Sequence, residues 1–336
     1  MTKPQSNLQQ LLSATGSPEA RVHVAPVLLA EEGNEVSRAV LAMALNLLLF
    51  RDLLERVPTG RRYVEESVAH GRQIVFDHGA LRTVALEGMG DLPQGELAIT
   101  RVLLPLGYRL SHVYPLDRLG MTGRSYTHSD FPEELPQFFV SELHPERFTK
   151  GFQQAVARVT ATSRNPIAES SGGALHELDT RHKLQFADAV ALLPTLLACF
   201  QRQHATPHSR DYDILLAESP EMAWISTEGN AFNHATDRVP NLDDLVAEQR
   251  RLARPLKDTI ETSRSGRVRQ TAFRADPVER EFIDAHGGVV RRKVPGSFYE
   301  FIQRERMSDP VTGASRLDLA FDSSNAQGIF KMTAAA

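Results

Sequence analysis

A His-x-x-x-Arg pattern occurs twice in this sequence, each time inside an apolar run with the composition of a β-strand. The first run, IVFDHGALRTV, contains His78 and Arg82, and the second, AFNHATDRV, contains His234 and Arg238. Residues i and i+4 of a strand point to the same face, so each run presents an imidazole and a guanidinium on one side of a sheet. Because an unpaired buried charge is costly, this face must border solvent or a polar cavity.

Two histidines delivered from equivalent strands need one more ligand to make a metal site, and Glu300 is the best candidate for it. This carboxylate stands in the aromatic run GSFYEFIQR, where a charge is expensive unless it is paired or binds a metal. Two other interpretations stay open. In the first, each histidine is a structural residue or lies on the solvent-exposed face of an edge strand. In the second, Glu300 forms an ion pair with Arg304 or with an arginine on a neighbouring strand.

The composition is that of an ordinary globular protein. Of 336 residues, 41% are hydrophobic and 24% are charged, and the formal net charge is -4. This charge provides no basic field for nucleic acid or for an anionic membrane surface, so neither is expected as a partner. The single cysteine excludes an intramolecular disulfide, and the N-terminal residues lack the pattern of a signal peptide, so we expect a cytoplasmic protein.

The elements that position the two histidines are expected to form a single α+β domain over residues 1–336. Residues 1–72 are expected to be a helical N-terminal part, and residues 181–215 a helical connection. Residues 73–180 and 216–336 each open with the His-x-x-x-Arg strand and continue with helical and strand-like runs. This weak internal repeat is consistent with two related modules.

Individual elements are predicted from apolar runs and from their Gly and Pro boundaries. SPEARVHVAPVLLAE is expected to be a helix, whereas LAITRVLLPLGYRLSHVYPL and MAWISTEGNAFNHATDRV are expected to be strands. TSRSGRVRQTAFR is polar and basic enough for an exposed loop or an edge strand.

Several of these motifs together resemble the 2-oxoadipate dioxygenase/decarboxylase family, whose members include enzymes that form D-2-hydroxyglutarate. The resemblance is carried by FDHGALRT, GYRLSHVYPLDRLGMTGRSYTH, FVSELHPERF, FNHATDR and GSFYEFIQR, and it extends over most of residues 60–305. It implies a fold related to the glyoxalase-like vicinal-oxygen-chelate superfamily. In that fold, paired βαβββ modules form a half-open barrel around one metal, here with additional N-terminal and central helices.

The same resemblance implies that His78, His234 and Glu300 are ligands of Fe(II) and that Arg82 positions the substrate. Two histidines and one carboxylate leave three metal positions open. A 2-oxo acid can occupy two of them and O2 the third. The implied reaction converts a 2-oxo dicarboxylic acid such as 2-oxoadipate into CO2 and a 2-hydroxy acid such as 2-hydroxyglutarate. A flavin, NAD or separate 2-oxoglutarate is not needed, and the sequence contains no Gly-rich phosphate loop of Walker or Rossmann form.

Two further expectations concern residues around this site. Arg238 either binds substrate as Arg82 does or pairs with Asp77 or Asp237. The C-terminal segment FDSSNAQGIFKM, with Asn325 and Phe330, either closes the metal pocket as a lid or packs on the outer surface of the barrel.

Two other functions are weighed on the same scaffold. One is a glyoxalase-type lyase or isomerase, which would typically use a fourth protein ligand to its metal. The other is a non-catalytic small-molecule binding protein. The oligomeric state is left open.

Overall fold

The computed structural model describes residues 5–16, 22–309 and 313–322. The helices are α1 (Asn7–Ala14), α2 (Pro26–Leu29), α3 (Arg38–Arg56), α4 (Pro58–Ala69), α5 (Leu97–Leu103), α6 (Lys150–Thr160), α7 (Glu169–Arg181), α8 (Phe186–Ala198), α9 (Ser209–Glu218), α10 (Pro220–Glu228) and α11 (Leu242–Arg251). The strands are β1 (Glu35–Ser37), β2 (Phe76–Val84), β3 (Tyr108–Leu116), β4 (Met121–His128), β5 (Gln137–Leu143), β6 (Lys183–Gln185), β7 (Phe232–Arg238), β8 (Glu261–Thr262), β9 (Val268–Ala272), β10 (Pro277–Ile283), β11 (Val289–Pro295), β12 (Phe298–Arg304), β13 (Arg306–Ser308) and β14 (Ser315–Leu317).

One eight-stranded sheet organises the molecule, with the strand order β3-β4-β5-β2-β7-β12-β9-β8. The pairs β2·β5 and β7·β12 are parallel, and the two halves of the sheet meet at the antiparallel pair β2·β7. Each half therefore has the same order, and α5 and α11 occupy equivalent places after β2 and β7. The α+β fold with duplicated βαβββ modules is confirmed. The β10–β11 hairpin is inserted between the last two strands of the second module.

The two central strands are buried on both faces because helices cover the face opposite the histidines. α3 is buried along most of its length, and Ser37 caps its N-terminus, where the Ser37 Oγ accepts a hydrogen bond from Val40 N. α4 packs closely on β12, where a Cβ at Gly60 would lie 2.8 Å from Cδ2 of Tyr299. Since neighbouring residues of a strand face opposite sides, Tyr299 packs on the helices and Glu300 points away from them.

Gly79 in the first His-x-x-x-Arg strand also faces this helical layer. A Cβ at this position would lie 2.3 Å from the ring of Phe232, on the adjacent strand β7. The glycine therefore lets a large aromatic ring fill the core between the two central strands, directly behind the histidines.

Some of the predicted elements are wrong. LAITRVL is the helix α5, and MAWISTE lies in α10, where Ser219 Oγ accepts from Met222 N and Pro220 occupies the first turn. Of the helix expected over SPEARVHVAPVLLAE, the described part contains only the short α2. In a short apolar run, periodicity does not distinguish a buried strand from a buried helix. At α10, the N-cap serine followed by proline is the local feature that favours a helix.

Across the described residues, no helix combines the length and apolar character needed to span a membrane.

Candidate metal centre

The side chains of His78, His234 and Glu300 converge on one point at the centre of the sheet. Glu300 Oε2 lies 3.3 Å from His78 Nε2 and 3.2 Å from His234 Nε2, and the three potential ligand atoms lie within 4.8 Å of one another. All three side chains are buried. Of the two environments expected for this face, solvent or a cavity, the three side chains therefore lie in the buried one.

The strand register explains this convergence. In the antiparallel pair β2·β7, His78 lies opposite Thr236 and His234 lies opposite Ala80, so the two histidines are diagonal neighbours on one face. In the parallel pair β12·β7, Glu300 also lies opposite Thr236. Thr236 is thus the central position of the cluster, and its Oγ1 donates to Glu300 Oε2 at 2.6 Å.

Each histidine is held through Nδ1 by the residue that precedes it. His78 Nδ1 donates to Asp77 Oδ1 at 2.8 Å, and this carboxylate is paired in turn with Arg304. His234 Nδ1 lies 3.0 Å from Asn233 Nδ2. With the two amide atoms of Asn233 exchanged, Oδ1 accepts the Nδ1–H of His234. In each ring Nδ1–H then has an acceptor and Nε2 is left to bind a metal, the arrangement found behind metal-binding histidines.

One oxygen beside the histidines, Glu300 Oε1, has no hydrogen-bond partner within the described parts of the chain, and its side chain has 0% exposure. A buried carboxylate oxygen without a partner is strongly unfavourable in a protein interior. A divalent cation between the two Nε2 atoms and the carboxylate satisfies it, and the donor set of two imidazoles and one carboxylate suits a transition metal. The residues therefore fit a metal ion.

The electrostatics of the cluster agree with this fit. Burial opposes ionisation of Glu300, but His234 and His78 hold the pKa of this carboxyl well below its usual range. Burial also opposes protonation of His78, yet Asp77 and Glu300 raise the pKa of its ring. Burial lowers the pKa of His234. The carboxylate is thus charged, and it faces two imidazoles that a cation can bridge.

A cavity opens over the three residues, with about 410 Å³ of empty space that includes its open side. Apart from the cluster itself, the lining residues are mostly uncharged: Ala80, Phe139, Ser141, Asn233, Gln270, Phe321 and Asp322. Phe321 lies against the His78 ring with centroids 4.8 Å apart, and its backbone N donates to Tyr114 Oη at 3.0 Å. One side of the cavity is therefore polar and the other side aromatic.

The two arginines of the His-x-x-x-Arg pattern lie in different environments. Arg82 is fully buried on the same strand face as His78, with its Cζ 4.9 Å from the centroid of the Trp224 ring. Burial lowers the pKa of Arg82 to about 10. Arg238 is partly exposed, and its Nη1 lies 3.8 Å from Asp77 Oδ2. Of the two environments expected for Arg238, the geometry is that of a loose pair with Asp77.

The sequence analysis named Asp77 only as an expected partner of Arg238 and assigned no role to Asn233 or Thr236. The Asx residue before each histidine was nevertheless a visible signal. Arg304 pairs with Asp77 rather than with Glu300. Phe321 begins the expected lid segment, whereas Asn325 and Phe330 lie outside the described residues.

Comparison with known proteins agrees with the fold and identifies the family. Residues 47–331 match the family model described as 2-oxoadipate dioxygenase/decarboxylase. A curated relative, the chloroplastic 2-oxoadipate dioxygenase/decarboxylase of Arabidopsis thaliana, is 23% identical over 333 residues, which cover 89% of this chain and 81% of that protein.

Solved structures extend this comparison. A glyoxalase superfamily protein from Ralstonia eutropha JMP134 is 52% identical with a TM-score of 0.89, covering 94% of this chain and 98% of its own. The hydroxyglutarate synthase of Oryza sativa, solved in complex with 2-oxoadipate, has the same fold at 18% identity. Its TM-score is 0.67, and the match covers 91% of this chain and 97% of that one.

The fold and the site define the class of protein: a half-open barrel of the vicinal-oxygen-chelate type with a buried group of three potential metal ligands at its centre. The chain belongs to the 2-oxoadipate dioxygenase/decarboxylase family. It is accordingly an enzyme of the dioxygenase/decarboxylase kind.

Proposed function

We propose that this protein is a non-haem Fe(II)-dependent dioxygenase/decarboxylase. It converts a 2-oxo dicarboxylic acid of the 2-oxoadipate kind into CO2 and a 2-hydroxy acid one carbon shorter. The observation that carries the proposal is the convergence of His78, His234 and Glu300 in a buried cavity, because two imidazoles and one carboxylate leave coordination positions for substrate and oxygen. The family supplies the reaction class.

His78 and His234 would hold the iron through Nε2 and Glu300 through its carboxylate. When bound, the iron supplies a site that takes a 2-oxo acid through its carboxylate and keto oxygen and that activates O2. Asp77 and Asn233 keep the imidazoles oriented through Nδ1, so that no rotation is needed when substrate arrives.

Arg82 binds a carboxylate of the substrate in this proposal. Its guanidinium is fully buried, and it follows His78 and Ala80 along the face of β2 that carries the cavity. A planar guanidinium binds a carboxylate through two parallel hydrogen bonds, which an ammonium group does not reproduce. Arg238 has the pairing role beside Asp77 and does not bind substrate.

Phe321, whose ring lies over His78, is the part of the expected lid that the structure describes, and in this proposal it covers one side of the cavity. Exclusion of water protects a reactive centre from side reactions. Deletion of residues 321–336 is expected to leave a folded protein that still binds iron, at an affinity reduced by the loss of Phe321, but to separate O2 consumption from hydroxy-acid formation. If the truncated protein still forms one hydroxy acid per O2, the segment only packs on the barrel.

The function is tested with protein loaded anaerobically with Fe(II) and mixed with 2-oxo acids of four to eight carbons, with and without a second carboxylate. O2 consumption, CO2 release and product mass are measured together. We expect one CO2 and one hydroxy acid per O2, with a dicarboxylic substrate preferred, and no turnover by Glu300→Gln. A product formed without O2 consumption would instead establish a glyoxalase-type reaction, and binding without any product would establish a binding protein.

A further inference from the structure

Arg304 lies behind the candidate metal centre and contacts two separate parts of the chain. Its Nε lies 2.9 Å from Asp77 Oδ2 and its Nη2 lies 2.9 Å from Asp77 Oδ1. Its Nη1 donates to the backbone carbonyls of Asp318 at 2.8 Å and Ala320 at 2.9 Å. The Arg304 side chain is completely buried. One guanidinium therefore binds both the carboxylate that orients His78 and the chain segment that precedes the end of the described region.

We call this segment, residues 318–322, the C-terminal strap. Phe321 of the strap lies over the Arg304 guanidinium, with 4.8 Å between Cζ and the ring centroid, and it also lies 4.8 Å from the His78 ring. The strap is further attached where Arg267 Nε contacts Asp318 Oδ2 at 2.8 Å. Phe321 is thus in contact with the candidate ligand and with the arginine behind it.

The geometry of a guanidinium is needed for this set of contacts. Arg304 directs N–H groups toward a carboxylate on one side and two carbonyls on the other, in a single plane. A lysine has one charged nitrogen and cannot bind both sides in this way. If the strap moves away, the Arg304 guanidinium loses its two carbonyl acceptors and its contact with the Phe321 ring. Because these contacts form one network, its hydrogen bonds to Asp77 then change as well.

We propose that Arg304 is a positioning residue that couples the C-terminal strap to the metal centre through Asp77 and His78. Metal binding then favours the closed strap, and the closed strap favours metal binding by the same factor, as thermodynamic linkage requires. This inference rests on the proposed metal site but is independent of the identity of the substrate.

The test measures amide hydrogen exchange of peptides that cover the strap, with Zn²⁺ as a probe that undergoes no redox chemistry. In the unmodified protein, Zn²⁺ is expected to slow exchange of the strap several-fold. In Arg304→Lys, Zn²⁺ is expected to leave strap exchange unchanged, and the Zn²⁺ affinity is expected to fall about 10- to 100-fold, the usual effect of losing a partner of a metal ligand.

Arg38→Gln is the control, because the buried Arg38 forms a two-bond pair with the partly exposed Asp130 that does not involve the cavity. This variant is expected to keep both the Zn²⁺ affinity and the effect of Zn²⁺ on the strap. A second variant, Arg267→Gln, loosens the strap without touching Asp77, and it is expected to weaken Zn²⁺ binding a few-fold. It keeps the test decisive if Arg304→Lys does not fold.

The coupling is overturned if Zn²⁺ binds and leaves strap exchange unchanged in the unmodified protein. It is also overturned if Arg304→Lys, or Arg267→Gln in its place, binds Zn²⁺ as tightly as Arg38→Gln. Failure of the iron-loaded protein to turn over any 2-oxo acid, with the strap still responding to Zn²⁺, would refute the proposed reaction and leave the role of Arg304 standing.

Discussion

The two halves of the sheet have the same strand order but contribute differently to the candidate metal centre. His78 pairs with Gln137 in β5, and His234 pairs with Phe298 in β12. Two residues further along these partner strands, the equivalent positions hold Phe139 in the first module and Glu300 in the second. The first module therefore supplies one imidazole and an aromatic wall, whereas the second supplies one imidazole and the carboxylate.

This difference shows how a duplicated scaffold produces an asymmetric site. The repeated strand places two imidazoles together by geometry alone, and a single departure from the repeat adds the negative charge that a cation needs. At the equivalent position of the first module, the Phe139 ring gives the cavity an apolar side. Its centroid lies 5.1 Å from the centroid of the Phe321 ring. In the proposed reaction, the polar side holds the metal and the apolar side receives the carbon chain of the substrate.

The residues behind the two histidines differ as well. Asp77 is a charged acceptor, and nearby Arg304 and His78 hold its pKa well below the usual range against the effect of burial. Asn233, in the equivalent position, is a neutral amide. The first histidine is consequently tied to an ionic network that reaches the C-terminal strap, and the second is held locally.

The largest expected effect comes from removing the charge that distinguishes the two modules. In Glu300→Gln, the metal affinity is expected to fall by more than about 100-fold, because loss of a ligand exceeds the 10- to 100-fold effect of losing a ligand's partner. Turnover is expected to disappear with it. Metal affinity is measured by competition with a chelator of known strength.

The control for this change is Phe139→Leu, at the equivalent position of the first module. It is expected to keep metal affinity within about 2-fold, since a leucine replaces one apolar wall by another. Equal metal loss in both variants would show that the effect reports packing of the sheet and not a missing ligand.

The next effect separates the two arginines of the His-x-x-x-Arg pattern. Arg82→Lys is expected to lower kcat/KM for the 2-oxo acid about 10- to 100-fold while metal affinity is kept, because a hydrogen bond to a charged group contributes about 1.5–3 kcal/mol. Arg238→Lys is expected to change kcat/KM by less than about 3-fold, since its contact with Asp77 is loose and partly exposed. Steady-state kinetics of both variants, beside chelator competition, provide the comparison.

Two outcomes would change the assignment of these arginines. Unchanged turnover in Arg82→Lys would reduce Arg82 to a structural residue beside Trp224. A larger loss in Arg238→Lys than in Arg82→Lys would transfer substrate binding to the second module.

The smallest effect concerns the Asp/Asn difference behind the histidines. Asn233→Ala removes the partner of His234 Nδ1 and is expected to weaken metal binding about 10-fold. Asn233→Asp is expected to retain metal binding, because a carboxylate accepts the Nδ1–H as Asp77 does in the first module. Chelator competition measures both affinities. If Asn233→Ala binds metal as the unmodified protein does, the amide has no orienting role.

The repeated pattern was sufficient to predict the ligand cluster because strand periodicity fixes which residues share a face. His78, His234 and Glu300 each stood out as a polar residue in an apolar strand, and the register then brought them together. The contacts of Arg304 could not be predicted, because its partner Asp77 lies 227 positions away along the chain and no local pattern encodes that distance.

The architecture of the fold was predictable from the sequence, but the type of two of its elements was not. The duplicated α+β architecture follows from the repeat and from the family resemblance, whereas α5 and α10 were mistaken for strands. Both are short and consist largely of apolar residues, so tertiary packing and not periodicity determines their conformation. The covering of His78 by Phe321 depends on long-range packing in the same way.

The central claim is that two modules place His78, His234 and Glu300 around one catalytic iron. Its most direct test is anomalous diffraction at the iron edge, from crystals of iron-loaded protein grown and soaked with a 2-oxo acid without oxygen. We predict one iron peak about 2.0–2.2 Å from His78 Nε2, His234 Nε2 and a carboxylate oxygen of Glu300, the range typical of such ligands. The claim would be contradicted if, in active iron-loaded protein, the iron peak lay elsewhere or if any of these three side chains did not bind the iron.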